Sequence, residues 1–228
     1  MSVAGGREFF VIAEGQSEER VLKVLVAPVL RPNGVHLKPQ LLQTSRGYAG
    51  GGINFDRLAR HVHNVSRSAP EAYLGTFFDL YALDSSIPGV ADVGKLATPQ
   101  AKAAHVEQAL HRSLVAALGL RPDRLLVHVQ PYELEGLFFS DVAGLSGAVP
   151  EWAGALDDLE RVRAGVDTPE HINDGYDTKP SARLSSLLKP RYRKTTHAPL
   201  IAERIGLSAI ELACPHFAQW IGRLRRLP

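Results

Sequence analysis

Apolar and polar positions alternate in two ways along the first 140 residues. Short apolar runs bounded by glycine, proline or an acid recur in "EFFVIAE", "HLKPQLLQTS", "AYLGTFFDLYALD" and "RLLVHVQPYELEGLFFSD". Runs of this length, rich in Phe, Val, Leu and Ile, predict strands, the last of them passing through Pro131 into a helix. Between them, apolar residues recur at helical spacing: Val21, Leu22, Val24, Leu25 and Val29, then Phe55, Leu58, Ala59 and Val62, then Val106, Leu110, Leu114 and Leu118. Ser17 is the expected N-cap of the first helix, and Glu18 and Glu19 complement the positive end of its dipole. Pro32, Asn33 and Gly34 end it. Pro39 marks the second strand as bent or at a sheet edge, and "RGYAGGGIN" reads as a flexible loop.

Strands alternating with helices at these lengths predict an α/β domain with a mainly parallel sheet and flanking helices. Right-handed crossovers then bring the carboxyl ends of the strands to one edge. Beyond residue 150 the strand pattern fades. "PEWAGALDDLERVRAG", "KPSARLSSLLK", "APLIAERIGL" and "SAIELACPHFAQWIGRLRRL" read as short helices. The expected organisation is an α/β domain over 1–149 and a C-terminal helical extension over 150–228 packed on it.

Composition sharpens this picture in two places. A single cysteine, Cys214, excludes an internal disulfide framework and a cysteine-based zinc site. It also favours a reducing compartment. No apolar run reaches the ~18 residues of a membrane span, and "MSVAGGREFF" lacks a signal-peptide pattern. The expectation is a soluble cytoplasmic protein with no membrane partner. The net charge of +2 is uninformative, but residues 178–228 hold ten of the 26 Lys and Arg and only two of the 24 acids, Glu203 and Glu211. A basic last quarter suits an anionic partner such as nucleic acid, or simply a solvated surface.

The candidate chemistry lies in acids. Glu14 ends the first strand, Asp79 the third, and Glu133 and Glu135 follow the fourth. Ligand crevices of open α/β sheets lie at the carboxyl ends of the strands. Carboxylates converging there repel one another, which raises their pKa values or calls for a cation. Hard divalent ions such as Mg²⁺ or Mn²⁺ take such oxygen ligands. For any one acid taken singly, a helix cap or an arginine partner is the better explanation; three at strand ends together favour a metal cluster. Glu18 and Glu19 are assigned to helix electrostatics, Asp141 to a cap, and Cys214 to the core. No P-loop, HExxH or G-x-S-x-G pattern competes.

The blocks "AEGQSEER", "TFFDLYALDSSIPG", "VQPYELEGLFFSD", "PEHINDGYDTKPSARL", "YRKTTHAPLIAERIGL" and "CPHFAQW" resemble the bacterial family called domain of unknown function 4276, in its order and over most of the chain. That family is related to Toprim domains, so the resemblance implies a Toprim-like, Rossmann-like sheet. It also implies a divalent-metal-dependent nuclease acting on DNA or RNA, in an anti-phage setting with an ATPase partner. A Toprim site supplies a Glu after the first strand, matched by Glu14, and an Asp-x-Asp, of which only Asp79 is matched. Tyr81 stands at the second position. The implied metal ligands are therefore Glu14 and Asp79, with Glu133 and Glu135 completing the shell. Of "YRKTTH", Lys194 and His197 are candidates for charge stabilisation or proton transfer, and Arg193 and Lys194, with the preceding Arg191, for phosphate contact. The same block could equally dock the extension on the sheet. The rival to a nuclease is a non-catalytic nucleic-acid- or protein-binding partner of an ATPase, which the missing second Asp favours.

Overall fold

The computed structural model describes residues 6–42, 53–173, 175 and 177–228. β1 (Arg7–Ala13) pairs in parallel with β2 (Val35–Leu41) on one side and β3 (Tyr73–Asp79) on the other. β3 then pairs in parallel with β4 (Leu125–Leu126) and, further along, with β5 (Val129–Gln130). The sheet order is β2-β1-β3-β4, with β5 continuing along β3. The expected fourth strand is thus interrupted at Val127 and His128. There Thr76 Oγ1 donates to the His128 carbonyl (3.0 Å) and accepts from the His128 N–H (3.1 Å), replacing ladder bonds with side-chain bonds. β2 lies at the sheet edge, which is where Pro39 is tolerated.

Period-two alternation divides β1 and β3 between two cores. Phe9, Val11, Ala13, Tyr73 and Phe77 face one; Ile12, Leu74 and Phe78 face the other. The second core is closed by α3 (Phe55–Ser68) and α4 (Pro99–Leu118). The first is closed by α1 (Gln16–Val21), α2 (Ala27–Leu30) and the later helices. These are α5 (Val142–Ser146), α6 (Leu156–Ala164), α7 (Pro180–Leu187), α8 (Lys194–Ile205), α9 (Leu207–Ala213) and α10 (Pro215–Arg225). Trp152, Trp220 and Phe217 share that core with Phe9 and Phe77, so it runs without a break across residue 150.

Several local expectations change. The first helix starts at Gln16 with Gly15 as N-cap, so Ser17 lies inside the helix and is buried. A π-helical turn over Leu22–Val26 joins α1 to α2. A π turn holds one extra residue and shifts the phase of the apolar face. Val24 and Val29 are therefore exposed, while Val26 and Leu30 are buried. "LEGLFFS" forms a 3₁₀ helix over Leu134–Ser140, and the last helix divides at Cys214, because Pro215 supplies no N–H. Asp141 caps α5, accepting from the Gly144 N–H at 2.9 Å. The glycine-rich loop at 46–52 lies outside the described residues.

Candidate functional site at the carboxyl ends of the strands

Parallel pairing decides the site. Ala13 is in register with Phe77, and Asp79 with Gln130, so Glu14, Asp79 and the residues after Gln130 emerge on one edge of the sheet. Pro131 and Tyr132 then turn the chain. Tyr132 has φ of +60°, a left-handed conformation that costs a non-glycine residue roughly 1–3 kcal/mol and persists where its surroundings dictate it. Here the Tyr81 N–H donates to the Tyr132 carbonyl (3.3 Å), and the Leu134 N–H donates to Asp79 Oδ1 (2.8 Å). The turn delivers Glu133 and Glu135 beside Asp79.

Asp79, Glu133 and Glu135 are all buried, Glu135 completely. Glu133 is satisfied: Lys179 Nζ lies 3.0 Å from Oε1, and Ser181 donates its N–H and its hydroxyl to the two carboxylate oxygens. Tyr192 donates its phenol to Glu135 Oε1 at 3.1 Å. Lys194, the first residue of α8, reaches into the group. Its Nζ lies 3.0 Å from Glu18 Oε1, 3.4 Å from Asp79 Oδ2 and 3.6 Å from Glu135 Oε2. Glu18, assigned from sequence to helix electrostatics, is instead 2% exposed and part of the cluster. Starting α1 at Gln16 turns its first-turn acid inward; only Glu19 keeps the surface role, paired with Lys23. Glu14 stands exposed at the mouth and makes no hydrogen bond or ion pair among the described residues.

The electrostatics follow from crowding. Burial pushes the Asp79 carboxyl well above its usual range; Glu18, Glu135 and Glu14 add to the rise, and Lys194 opposes it. Burial likewise raises Glu135. Glu14 is raised by loss of water and by Glu18. Lys194 is driven upward by Asp79, Glu135 and Glu18 despite its own burial, so it remains an ammonium. Among the described residues, two buried oxygens, Glu18 Oε1 and Glu135 Oε2, lack a well-aligned hydrogen bond and face the Lys194 ammonium at 3.0 and 3.6 Å. Among the described residues, Glu18, Asp79, Glu133 and Glu135 thus pair with Lys179 and Lys194, and Glu14 adds a fifth carboxylate beside them.

The remaining sequence candidates fall outside this group. His197 Nδ1 accepts from the Arg193 N–H (2.9 Å), and its ring packs edge-on against Trp152 and beside Tyr192. These partners fix the start of α8 and include no carboxylate, so the expected catalytic role for His197 has no support in its contacts. Arg191 and Arg193 are exposed in the segment leading to Lys194. Tyr81 bonds through its hydroxyl to Asn173. Among the described residues, the strand-end acids do not bring three ligand atoms within 4.8 Å of one another; only Glu107, His128 and His216 do so. No helix among the described residues is long and apolar enough to cross a membrane.

The family described as "Domain of unknown function (DUF4276)" matches residues 13–225 of the chain. No curated protein and no solved structure matches it.

Proposed function

The chain belongs to the domain of unknown function 4276 family, and we propose that its strand-end carboxylates serve a divalent-metal-dependent nuclease, hydrolysing phosphodiesters in DNA or RNA. The observation that supports this reading is the imbalance of charge: among the described residues, buried Glu18 Oε1 and Glu135 Oε2 face only the Lys194 ammonium, beside an exposed Glu14 with no partner there. An all-oxygen donor set suits Mg²⁺ or Mn²⁺. Asp79, Glu135 and Glu14 would hold such an ion, with Glu18 and Glu133 behind them. When bound, a cation of this class neutralises charge on a phosphoryl group and sharpens the nucleophile.

The chain's own residues supply the rest. Glu14, at the mouth with a raised carboxyl pKa, is placed to take a proton from an attacking water. Lys194 is a fixed positive charge beside the reacting position. Exposed Lys189, Arg191 and Arg193 precede it, on a segment pinned by Tyr192 to Glu135 and by the Trp152 indole N–H to the Pro190 carbonyl (2.7 Å). Such a rigid basic strip suits the phosphate backbone. An ATPase partner in an anti-phage setting belongs to the same reading and rests on the family resemblance.

One feature favours the rival. The Lys194 ammonium already lies between Glu18, Asp79 and Glu135, as a permanent cation would in a non-catalytic binding module. Incubation with Mg²⁺ or Mn²⁺ and plasmid, single-stranded DNA or tRNA separates the two. The nuclease reading expects cleavage that Glu14→Gln and Asp79→Asn abolish. Intact substrates with every metal, together with undiminished nucleic-acid binding, would establish the binding module instead.

A further inference from the structure

A second polar group lies away from that edge, where α4 and α10 meet β5. Glu107 of α4 extends Oε1 to three nitrogens: the Val129 N–H (2.9 Å), His216 Nε2 (2.9 Å) and His128 Nδ1 (3.3 Å). Both imidazoles are buried. His128 stacks with the rings of both His216 and Trp220, with centroids 5.2 and 4.8 Å away.

His128 also has an outward partner: its Nε2 lies 3.3 Å from the Gln130 side-chain amide. A neutral imidazole has one N–H, so each ring can turn one nitrogen lone pair toward the Glu107 carboxylate and keep its N–H on the other side. With a cation at the centre, the outer N–H of His128 donates to Gln130 Oε1, the usual arrangement of metal-bound histidine.

We propose that Glu107, His128 and His216 form a binding site for a late first-row divalent cation of the Zn²⁺ class, separate from the strand-end carboxylates. Two imidazoles and a carboxylate suit Zn²⁺ and its neighbours rather than Mg²⁺. The two carboxylate-to-imidazole separations of 2.9 and 3.3 Å are of the size found around a single ion with bonds near 2.0–2.1 Å, and all three ligand atoms lie within 4.8 Å of one another. A cavity of about 500 Å³, lined by Glu107, His216, His111, Arg112, Gln219 and Arg223, opens onto the site. It provides an entry path and room for a fourth, exchangeable ligand. The ion would tie α4, β5 and α10 together.

The test uses the full chain, stripped with chelator and titrated with Zn²⁺ or Co²⁺ in millimolar Mg²⁺. One equivalent should bind, Co²⁺ giving the absorption of a nitrogen- and oxygen-ligated ion, and Asp79→Asn should bind equally. His216→Gln should weaken binding by more than the roughly 10–100-fold that loss of an outer-shell partner costs. In wild type, Zn²⁺ should shift the imidazole ¹⁵N resonances of His128 and His216, a readout that needs no variant to fold. Unmoved imidazole resonances, His216→Gln binding as tightly as wild type, or loss of binding in Asp79→Asn would each overturn the site; in the first case the Gln130 amide is turned and the group is a metal-free hydrogen-bond knot.

Discussion

Two buried polar groups sit on one sheet, and they balance charge differently. At the strand-end edge, Glu14, Glu18, Asp79, Glu133 and Glu135 outnumber Lys179 and Lys194, and burial drives Asp79 and Glu135 toward the protonated form. At the Glu107 group a single carboxylate faces three nitrogens, and the His128 and His216 rings hold it down to about 2 against its own burial. Its partners divide: hydrogen bonding to Glu107 raises His216, whereas burial dominates in His128 and lowers it. An acid surrounded by acids is unstable as an anion and open to an added cation. An acid surrounded by N–H groups is stable as an anion and rigidifies its neighbours.

The sharpest break of this contrast is Lys194→Met. Removing one partner from buried ions costs about 3–5 kcal/mol, here felt by Glu18, Asp79 and Glu135 together. A raised carboxyl pKa favours the folded state only while the group is protonated, so the deficit should shrink from pH 8 to pH 5, and Mg²⁺ should restore part of it. Urea denaturation across that range measures both; a pH-independent deficit would mean that charge is not what Lys194 controls.

Glu107→Gln tests the opposite sign. A folded pKa of about 2 against an ordinary 4.5 corresponds to roughly 3 kcal/mol. Because this pKa is depressed, the contribution is full above about pH 4.5 and disappears as pH falls toward 2. The wild-type and variant stability curves should therefore converge in acid. Parallel curves would remove the ionic account.

Tyr192→Phe is expected to cost about 1–2 kcal/mol by leaving Glu135 short of a donor, with a further rise in the Glu135 pKa visible in carboxyl ¹³C titration. Smallest in stability are Arg191→Ala and Arg193→Ala, within ±0.5 kcal/mol. If they meet phosphate, each should lower the salt dependence of nucleic-acid binding by about one unit of slope. An unchanged slope would confine recognition to another surface.

Much of this was legible along the chain. Apolar runs ending in acids located β1 and β3, and parallel connection alone implied that Glu14, Asp79, Glu133 and Glu135 share an edge. The block around Lys194 stood out as basic and aromatic. Glu18 did not, because a first-turn acid is ordinarily a solvated dipole partner; its burial depends on the helix starting one residue before Ser17. The Glu107 group was also hidden. His128 and His216 are 88 positions apart, and linear spacing carries no sign that α10 folds back across β5 onto α4.

The sequence by itself determined the alternation of strand and helix, the parallel sheet and the acids at its carboxyl edge, because these depend on side-chain period and chain connectivity over short distances. The tertiary structure alone decided how the charges are shared. It brought Lys194, 115 residues away, against Asp79 and set two histidines around Glu107. Charge balance depends on distances of 3–4 Å and on exclusion of water, and both exist only once α8 and α10 have packed on the sheet.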